Sequence, residues 1–146
     1  MSKKGSAASI LKLVVPSGKA TPSPPVGPAL GQRGVKSMDF CKQFNDRTKH
    51  LLPEIPIPTV ITITPDRKFT FVTKSPPTSW LLKNATGIKK GSGKTGKETL
   101  GSLSLKHIYE IACIKQKDDH LSHLDLQSIC KAVIASAGSI GIKVVP

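Results

Sequence analysis

Apolar and polar residues alternate in three short segments in the first half of the chain, and each segment predicts a β-strand. The three strands are expected at Ile10–Val15, Thr59–Thr64 and Lys68–Thr73. Between the last two lies Pro65-Asp66-Arg67, which is typical of a turn, so these two strands are predicted to form a hairpin.

A helical pattern separates the first strand from the hairpin. Apolar residues near helical spacing occupy Val35–Leu52, and Pro53 ends the pattern. Strand, helix and hairpin together predict a small N-terminal α/β domain over residues 1–73. Residues 74–78, Lys-Ser-Pro-Pro-Thr, are predicted to form a linker that two prolines keep stiff.

Three helical segments are predicted in the second half of the chain. They lie at about Thr78–Ala85, Ser104–Lys115 and Leu124–Ala137, and the first residue of the second segment is a favourable N-cap. Gly138 is expected to end the third helix, and Ile142–Val145 has the pattern of an extended segment.

The predicted fold class is therefore α+β with two small domains. The N-terminal α/β domain has a short sheet and a hairpin. The C-terminal domain, residues 79–146, has three helices with a long basic loop between the first two. A chain of 146 residues is long enough for two such domains.

The charge of the chain indicates a polyanionic partner. Lys and Arg number 22 against 9 Asp and Glu, a net charge of +13, and both halves share the excess. With only 4% aromatic residues, this charge suits contacts to a nucleic-acid backbone better than base stacking. An anionic membrane surface is the competing partner, although no apolar run is long enough to predict a membrane-spanning helix.

The cysteine pattern predicts neither a metal site nor a disulfide framework. Cys41, Cys113 and Cys130 are widely spaced and form no C-x-x-C or zinc-finger arrangement. We expect all three to be buried thiols. No cofactor and no metal are predicted, and no pair of carboxylates or set of nucleophile and base predicts catalysis.

The segment from Gly87 to Lys97 has four glycines and four lysines. Gly91, Gly93 and Gly96 satisfy a dinucleotide-binding motif, but that motif and the P-loop both require a preceding strand, and a helical pattern precedes this segment. A solvated flexible loop is the second interpretation. The third is a loop that lays backbone N–H groups and lysines on a nucleic-acid backbone, where glycine permits close approach. The charge of the whole chain favours the third.

Two other segments allow both structural and functional interpretations. Residues 20–34 are rich in proline and glycine, which indicates either a rigid connection or a preformed binding surface with a low ordering cost. Small residues at Ala135–Gly141 either let a backbone approach an RNA groove or pack tightly in the domain's own core. The residues alone leave both pairs of alternatives open.

Several motifs then follow one another in a specific order. P-S-P-P-V-G-P-A-L-G-Q-R-G-V begins at Pro22, F-T-F-V-T-K at Phe69, A-T-G-I-K at Ala85 and G-S-G-K at Gly91. In this order the motifs resemble the L-eleven family of large-subunit ribosomal proteins, and the resemblance covers nearly the whole chain, from about residue 10 to residue 145.

The resemblance implies a structural constituent of the large ribosomal subunit. The C-terminal domain would bind rRNA at the GTPase-associated centre beside the stalk base, through the glycine-lysine loop and the end of the last helix. The residues implied in this contact are Gly87, Lys89, Lys90, Gly91, Ser92, Gly93, Lys94, Thr95, Ser136, Gly138, Ser139 and Gly141.

The resemblance also implies a more mobile N-terminal domain. Its proline-rich segment would face rRNA and translational GTPases such as elongation factor G, and in bacterial members it also faces thiopeptide antibiotics. The residues implied there are Pro22, Pro24, Pro25, Val26 and Pro28. The implied partners are large-subunit rRNA, stalk proteins and translational GTPases, with no membrane and no enzymatic activity.

Two departures from the family pattern lie in the implied rRNA site. Thr95 stands where the family often has proline, and Gly138 stands where it usually has an arginine that faces RNA, a loss that Lys131 or Lys143 would offset. Gln32-Arg33-Gly34 looks more like the mitochondrial members, which implies a ribosome in the mitochondrial matrix, with the bacterial cytoplasm as the alternative. A general nucleic-acid-binding protein and a P-loop nucleotide-binding enzyme are the alternative functions.

Overall fold

The computed structural model describes residues 7–24 and 26–146. The chain divides into two compact units, which meet in sequence between Lys74 and Ser75. Each unit has its own apolar core. Helices and strands occur in both units, and the predicted α+β class is confirmed.

The N-terminal unit combines a three-stranded antiparallel sheet with two helices. The sheet has the order β1-β2-β3, and β2 and β3 form the predicted hairpin, in which Ile61 pairs with Phe71. The elements are β1 (Ser9–Pro16), α1 (Val26–Gly31), α2 (Ser37–Thr48), β2 (Pro56–Ile63) and β3 (Phe69–Thr73).

The central strand β2 begins three residues earlier than predicted, at Pro56. Proline usually interrupts a central strand because it lacks an N–H group. Here the carbonyl of Pro58 accepts a hydrogen bond from Lys74 N–H (2.9 Å), where β3 has already ended. The missing N–H groups therefore face the side on which β2 has no partner strand, and the pairing with β1 is preserved.

Aromatic rings join α2 to the inner face of the sheet. Phe40 and Phe44 are both fully buried, and the ring of Phe40 meets that of Phe71 edge-on with centroids 5.3 Å apart. Arg47 lies over the same Phe71 ring at 4.6 Å and donates a hydrogen bond to the Phe71 carbonyl at 3.1 Å. These contacts set the position of α2 on the sheet.

The C-terminal unit contains the three predicted helices and a small parallel sheet that the sequence did not predict. The strand β4 escaped prediction because its four residues include a single large apolar side chain, Leu103. The elements are α3 (Thr78–Thr86), β4 (Gly101–Ser104), α4 (Leu105–Gln116), α5 (Leu126–Ile140) and β5 (Ile142–Val145).

The last helix continues past Gly138, so the prediction that this glycine ends the helix was wrong. Gly141 is the residue that ends it, with φ 95° and ψ 26°, and its N–H points back to the carbonyls of Ala137 and Gly138. A left-handed backbone is required at this position because the chain passes directly from α5 into β5.

The cysteines are only partly as predicted. Cys41 is buried, and burial raises the pKa of its thiol. Cys113 and Cys130 are half-buried, so the prediction of three buried thiols was wrong for these two, which lie on α4 and α5. Across residues 7–24 and 26–146, no three His, Cys, Asp or Glu side chains group as metal ligands would, and no helix is long and apolar enough to cross a membrane.

A buried carboxylate holds the first residues of the C-terminal unit. Asp118 is 8% exposed and accepts hydrogen bonds from the N–H (2.9 Å) and the hydroxyl (2.6 Å) of Ser75. Lys115 lies 3.4 Å from the same carboxylate and donates to the carbonyl of Pro76 at 3.2 Å. Burial by itself would raise the pKa of Asp118, but the bonds from Ser75 and the charge of Lys115 outweigh burial and lower it.

Candidate nucleic-acid interface

The glycine-lysine loop connects α3 to β4 and lies against the end of α5. Two segments more than forty residues apart in sequence therefore form one surface. Three hydrogen bonds join them: from Ser92 N–H to the Ile140 carbonyl (2.8 Å), from Leu100 N–H to the Gly141 carbonyl (2.8 Å) and from the Thr95 hydroxyl to the Ser139 carbonyl (3.3 Å).

The tip of the loop is also organised by its own side chains. The hydroxyl of Ser92 accepts a hydrogen bond from Lys94 N–H at 3.0 Å and donates to the Glu98 carboxylate at 3.2 Å. Lys97 N–H donates to the Lys94 carbonyl at 3.1 Å. These bonds give the loop a defined course, which favours a binding surface over a merely solvated connection.

Glycine is needed at Gly141 for packing within the protein itself. A Cβ atom there would lie 2.8 Å from Ser92 Cβ and 3.1 Å from the Glu98 carbonyl oxygen. At Gly91 a Cβ would lie 3.3 Å from Ile140 Cγ2, which is also a tight contact. Because Gly141 is buried, these two glycines position the loop on the helix end.

Other glycines of the site have different surroundings. Gly87 ends α3 with φ 77°, and its N–H donates to the Lys83 carbonyl at 2.9 Å. Gly93 and Gly138 are exposed, and a Cβ at either position would meet nothing within 4 Å. The same holds for Gly87 and Gly96, so at these four positions the missing side chain leaves open space at the surface.

The lysines of the loop point into solvent without acidic partners. Lys89, Lys90, Lys94 and Lys97 are all exposed. The ion pairs found among the described residues involve other lysines, so these four have no carboxylate within ion-pair distance there. The loop therefore carries positive charge that only an outside anion would neutralise. Lys97 belongs to the same run of glycines and lysines. It was left out of the predicted site, although its place in this run was sufficient to predict it.

The helix side of the surface offers hydroxyl groups. The Ser139 hydroxyl is exposed and donates to the Ser136 carbonyl at 2.7 Å, while the Ser136 hydroxyl donates to the Ala132 carbonyl at 3.0 Å. Because both hydroxyls already donate to their own helix, their free lone pairs can act as acceptors. Acceptors of this kind suit the 2′-hydroxyl groups of RNA.

The nucleotide-binding motifs do not have the structural context that they require. A dinucleotide or P-loop site needs a strand before the loop and a helix directly after it. Here α3 precedes the loop and β4 follows it. Gly91, Gly93 and Gly96 therefore do not form a nucleotide-binding turn.

The proline-rich segment forms a second surface, in the N-terminal unit. Pro22, Pro24 and Pro28 are exposed, whereas Pro25 lies outside the described residues. Val26 is not part of this surface, which corrects the prediction, because it is 3% exposed and lies in the core of the unit. Val26 and the fully buried Leu30 lie four residues apart and anchor the short helix α1, a spacing that was present in the sequence.

Side chains of α2 hold the start of the proline-rich segment. Asn45 accepts a hydrogen bond from Ala20 N–H at 2.9 Å and donates to the Ala20 carbonyl at 3.3 Å. The Thr48 hydroxyl accepts from Gly18 N–H at 3.0 Å. At Gly27, a Cβ atom would overlap the carbonyl oxygen of Pro22. No pattern in the sequence indicated these roles for Asn45 and Gly27, because each depends on a partner that only the fold brings near.

Comparisons with known proteins extend over both units. Residues 11–69 match the family model for the N-terminal domain of ribosomal protein L11, and residues 74–144 match the model for the RNA binding domain of ribosomal protein L11. The chain is also similar to the large ribosomal subunit protein uL11m of Schizosaccharomyces pombe, with 56% identity over 137 residues, which is 94% of this chain and 95% of that protein.

Proposed function

The chain belongs to the ribosomal protein L11 family, and from this premise we propose that its C-terminal unit binds a folded segment of large-subunit rRNA at the GTPase-associated centre, beside the stalk base. Membership makes the protein a structural component of the ribosome and not an enzyme, and confirms the resemblance seen in the motifs. One observation carries the proposal. The glycine-lysine loop and the end of α5 form a single exposed surface on which the loop lysines lack acidic partners within the described chain.

Recognition at this surface combines charge with close approach. The lysines attract the phosphate groups, so binding weakens as salt concentration rises. Gly93 leaves room for the RNA backbone, and the Ser136 and Ser139 hydroxyls accept hydrogen bonds from 2′-hydroxyl groups. Because an A-form groove offers side chains little sequence to read, the shape of the folded RNA decides which segment binds.

The proposed residues divide into contact residues and positioning residues. Gly87 turns the chain out of α3, while Gly91 and Gly141 hold the loop against the helix, so these three position the surface. The proposed contact residues are Lys89, Lys90, Ser92, Gly93, Lys94, Thr95, Lys97, Ser136, Gly138 and Ser139.

The N-terminal domain, residues 1–73, is proposed to face the translational GTPases. Its exposed prolines, Pro22, Pro24 and Pro28, lie on a segment that Asn45 holds at Ala20 and that the core holds through α1, so the surface has little conformational freedom left to lose on binding. This surface helps factors such as elongation factor G to dock beside the rRNA and stalk proteins. GTP hydrolysis takes place on the factor.

The ribosome in question is proposed to be that of the mitochondrial matrix. The support is the similarity to uL11m of Schizosaccharomyces pombe, which spans nearly the full length of both proteins. The Gln32-Arg33-Gly34 motif points the same way.

The RNA half of the proposal is tested by binding. The purified chain is titrated with the folded stalk-base rRNA fragment and with an unfolded RNA of equal length, each over a range of salt concentrations. We expect tight, salt-sensitive binding to the folded fragment and much weaker binding to the unfolded RNA. Equal affinity for both would leave a general polyanion-binding protein and would overturn the proposal.

The factor half is tested by changing an exposed proline. Pro22→Ala keeps the carbonyl that packs on Gly27 and is expected to leave the rRNA affinity within about twofold, as surface changes usually do. It is expected to alter elongation factor G turnover or thiopeptide action on reconstituted ribosomes. Pro53→Ala, at another exposed proline of the same unit, is the matched control. A large loss of rRNA affinity in Pro22→Ala alone would refute this division of labour.

A further inference from the structure

The outer face of the N-terminal sheet carries several apolar side chains, although solvent covers it. The aromatic core lies on the inner face, where Ile57, Ile61 and Ile63 point, so the alternate residues of each strand point outward. The exposed fractions are 60% for Ile10, 53% for Val14 and 53% for Val72. An antiparallel sheet with one solvated face usually carries polar residues there. Lys12, Thr62 and Thr70 follow that rule, and the exposed apolar residues of this face depart from it.

The strand register gathers these side chains into one patch. Lys12 pairs with Val60, which pairs in turn with Val72 on the next strand. Val14 pairs with Pro58 in the adjacent row, and Ile10 pairs with Thr62 in the row on the other side. Between the first two rows runs a shallow groove of about 160 Å³. Ile10, Val14, Pro58, Val60 and Val72 form this patch, which we call the outer sheet patch.

Two lysines flank the outer sheet patch, and neither has an acidic partner in the described part of the chain. Lys12 and Lys74 both line the groove. The acids of this unit lie elsewhere: Glu54 pairs with Lys19, Asp46 pairs with Lys49, and the other two belong to α2 and the hairpin turn. The patch therefore presents an apolar centre with a positive border.

We propose that the outer sheet patch binds a protein segment that has an apolar side bordered by acidic residues, such as an amphipathic helix. Charge complementarity selects this occupant, because Lys12 and Lys74 would each face a carboxylate. RNA fits less well, because the apolar side chains of Val14, Pro58 and Val60 at the centre of the patch cannot bind a phosphate or a 2′-hydroxyl group. A second copy of the chain would bring like charges together, as the net charge of +13 indicates.

This inference does not rest on the proposed roles of the glycine-lysine loop or of the exposed prolines. The outer sheet patch and the Phe40 cluster lie on opposite faces of the sheet, and the rRNA surface belongs to the other unit. Binding of the stalk-base fragment thus serves as an independent readout. A variant can lose the patch interaction while its affinity for the fragment is unchanged.

The test places a photocrosslinking amino acid at Val72 in assembled large subunits and identifies the crosslinked peptide by mass spectrometry. The same group at Lys42, on the outside of α2, is the control for crowding. We expect position 72, and not position 42, to crosslink to a protein peptide with Asp or Glu near the attachment point. Lys12→Glu combined with Lys74→Glu should lower this yield about tenfold, the effect of losing two charge pairs at the rim of an interface.

Several outcomes would overturn the proposal. These are a crosslink from position 72 to rRNA, a crosslink to a second copy of the chain, no crosslink at all, and an unchanged yield in the double charge reversal. Lys12→Gln with Lys74→Gln removes the charge without adding acids to the sheet, and it decides the matter if the glutamate variant does not fold. Its thermal midpoint and its affinity for the stalk-base fragment are both expected to equal those of the unchanged chain.

Discussion

The proline-rich segment and the glycine-lysine loop share one packing feature but differ in charge. In each, a glycine lets a neighbouring segment come closer than a side chain would allow. Gly27 faces the Pro22 carbonyl in the first, and Gly141 faces Ser92 in the second. Residues 20–32 carry no charge, whereas the loop carries four lysines. The proline-rich segment is thus a neutral surface with a fixed shape. The loop is a surface with a fixed shape and a positive charge.

Different interactions hold the two surfaces in place. Prolines and the side chains of Asn45 and Thr48 limit the first segment, so its shape depends little on what it meets. Backbone hydrogen bonds to the last turn of α5 hold the loop, and its charge stays unbalanced until an anion arrives. We therefore expect salt concentration and lysine substitutions to change binding at the loop alone. Substitutions of the tightly packed glycines should change binding at both surfaces.

The largest expected effect is the loss of the loop lysines. Changing Lys89, Lys90 and Lys94 together to alanine should weaken binding of the stalk-base fragment on the order of 100-fold and flatten its salt dependence by about one unit of slope per lysine. The control removes the same charge from the N-terminal unit, by Lys36→Ala, Lys42→Ala and Lys68→Ala at exposed positions. Equal losses in the two triple variants would mean that total charge, and not the loop, governs binding.

The next effect comes from the packing of the loop on the helix. Gly141→Ala places a Cβ 2.8 Å from Ser92 Cβ at φ 95°, and we expect it to destabilise the C-terminal unit by about 1–3 kcal/mol. Gly138→Ala, three residues earlier in open space, should instead stabilise it by about 0.5–1 kcal/mol. Urea unfolding followed by the fluorescence of Trp80, the single tryptophan, reports on this unit. Equal effects of the two changes would contradict the proposed packing role.

A smaller effect is expected from replacing Asp118, the carboxylate that accepts hydrogen bonds from Ser75. Asp118→Asn should lower the free energy of unfolding by about 1–2 kcal/mol at neutral pH, because a buried hydrogen-bonded charge is lost. The pKa of Asp118 is lowered in the folded state, so its stabilisation is present above the unfolded pKa of about 4 and disappears as pH falls through the folded pKa. Acid titration with Trp80 fluorescence should show a steeper loss for the unchanged chain than for the variant, and parallel curves would refute this.

The smallest expected effect concerns position 138, where the resemblance in the motifs implies an arginine and this chain has glycine. Because Gly138 lies in open space on α5, Gly138→Arg should fit without displacing a neighbour. One additional phosphate contact would tighten binding of the stalk-base fragment about 3- to 10-fold and steepen its salt dependence by about 0.9. Gly138→Ala separates the gain in helix stability from the gain in charge. Identical affinities for the two variants would place position 138 away from the RNA.

Local patterns were enough to predict most helices and strands. The alternation around Phe69 and Phe71 predicts a strand whatever the rest of the chain does, and the turn at residues 65–67 pairs it with its neighbour. The motifs were likewise specific enough to predict the ribosomal family. The helix α1 was missed because proline and glycine outweighed the spacing of Val26 and Leu30.

The two domains, the positive charge and the family could therefore be predicted from the chain alone, since each is carried by neighbouring residues or by their order. The role of each glycine depends on the packing of distant segments, which local patterns do not contain. Either Gly138 or Gly141 could end a helix by its residue type. Gly141 must be a glycine because the loop lies against the end of the helix at that position. The same holds for the joined surface of the glycine-lysine loop and the end of α5 and for the outer sheet patch, because hydrogen bonds and strand register between distant segments create both.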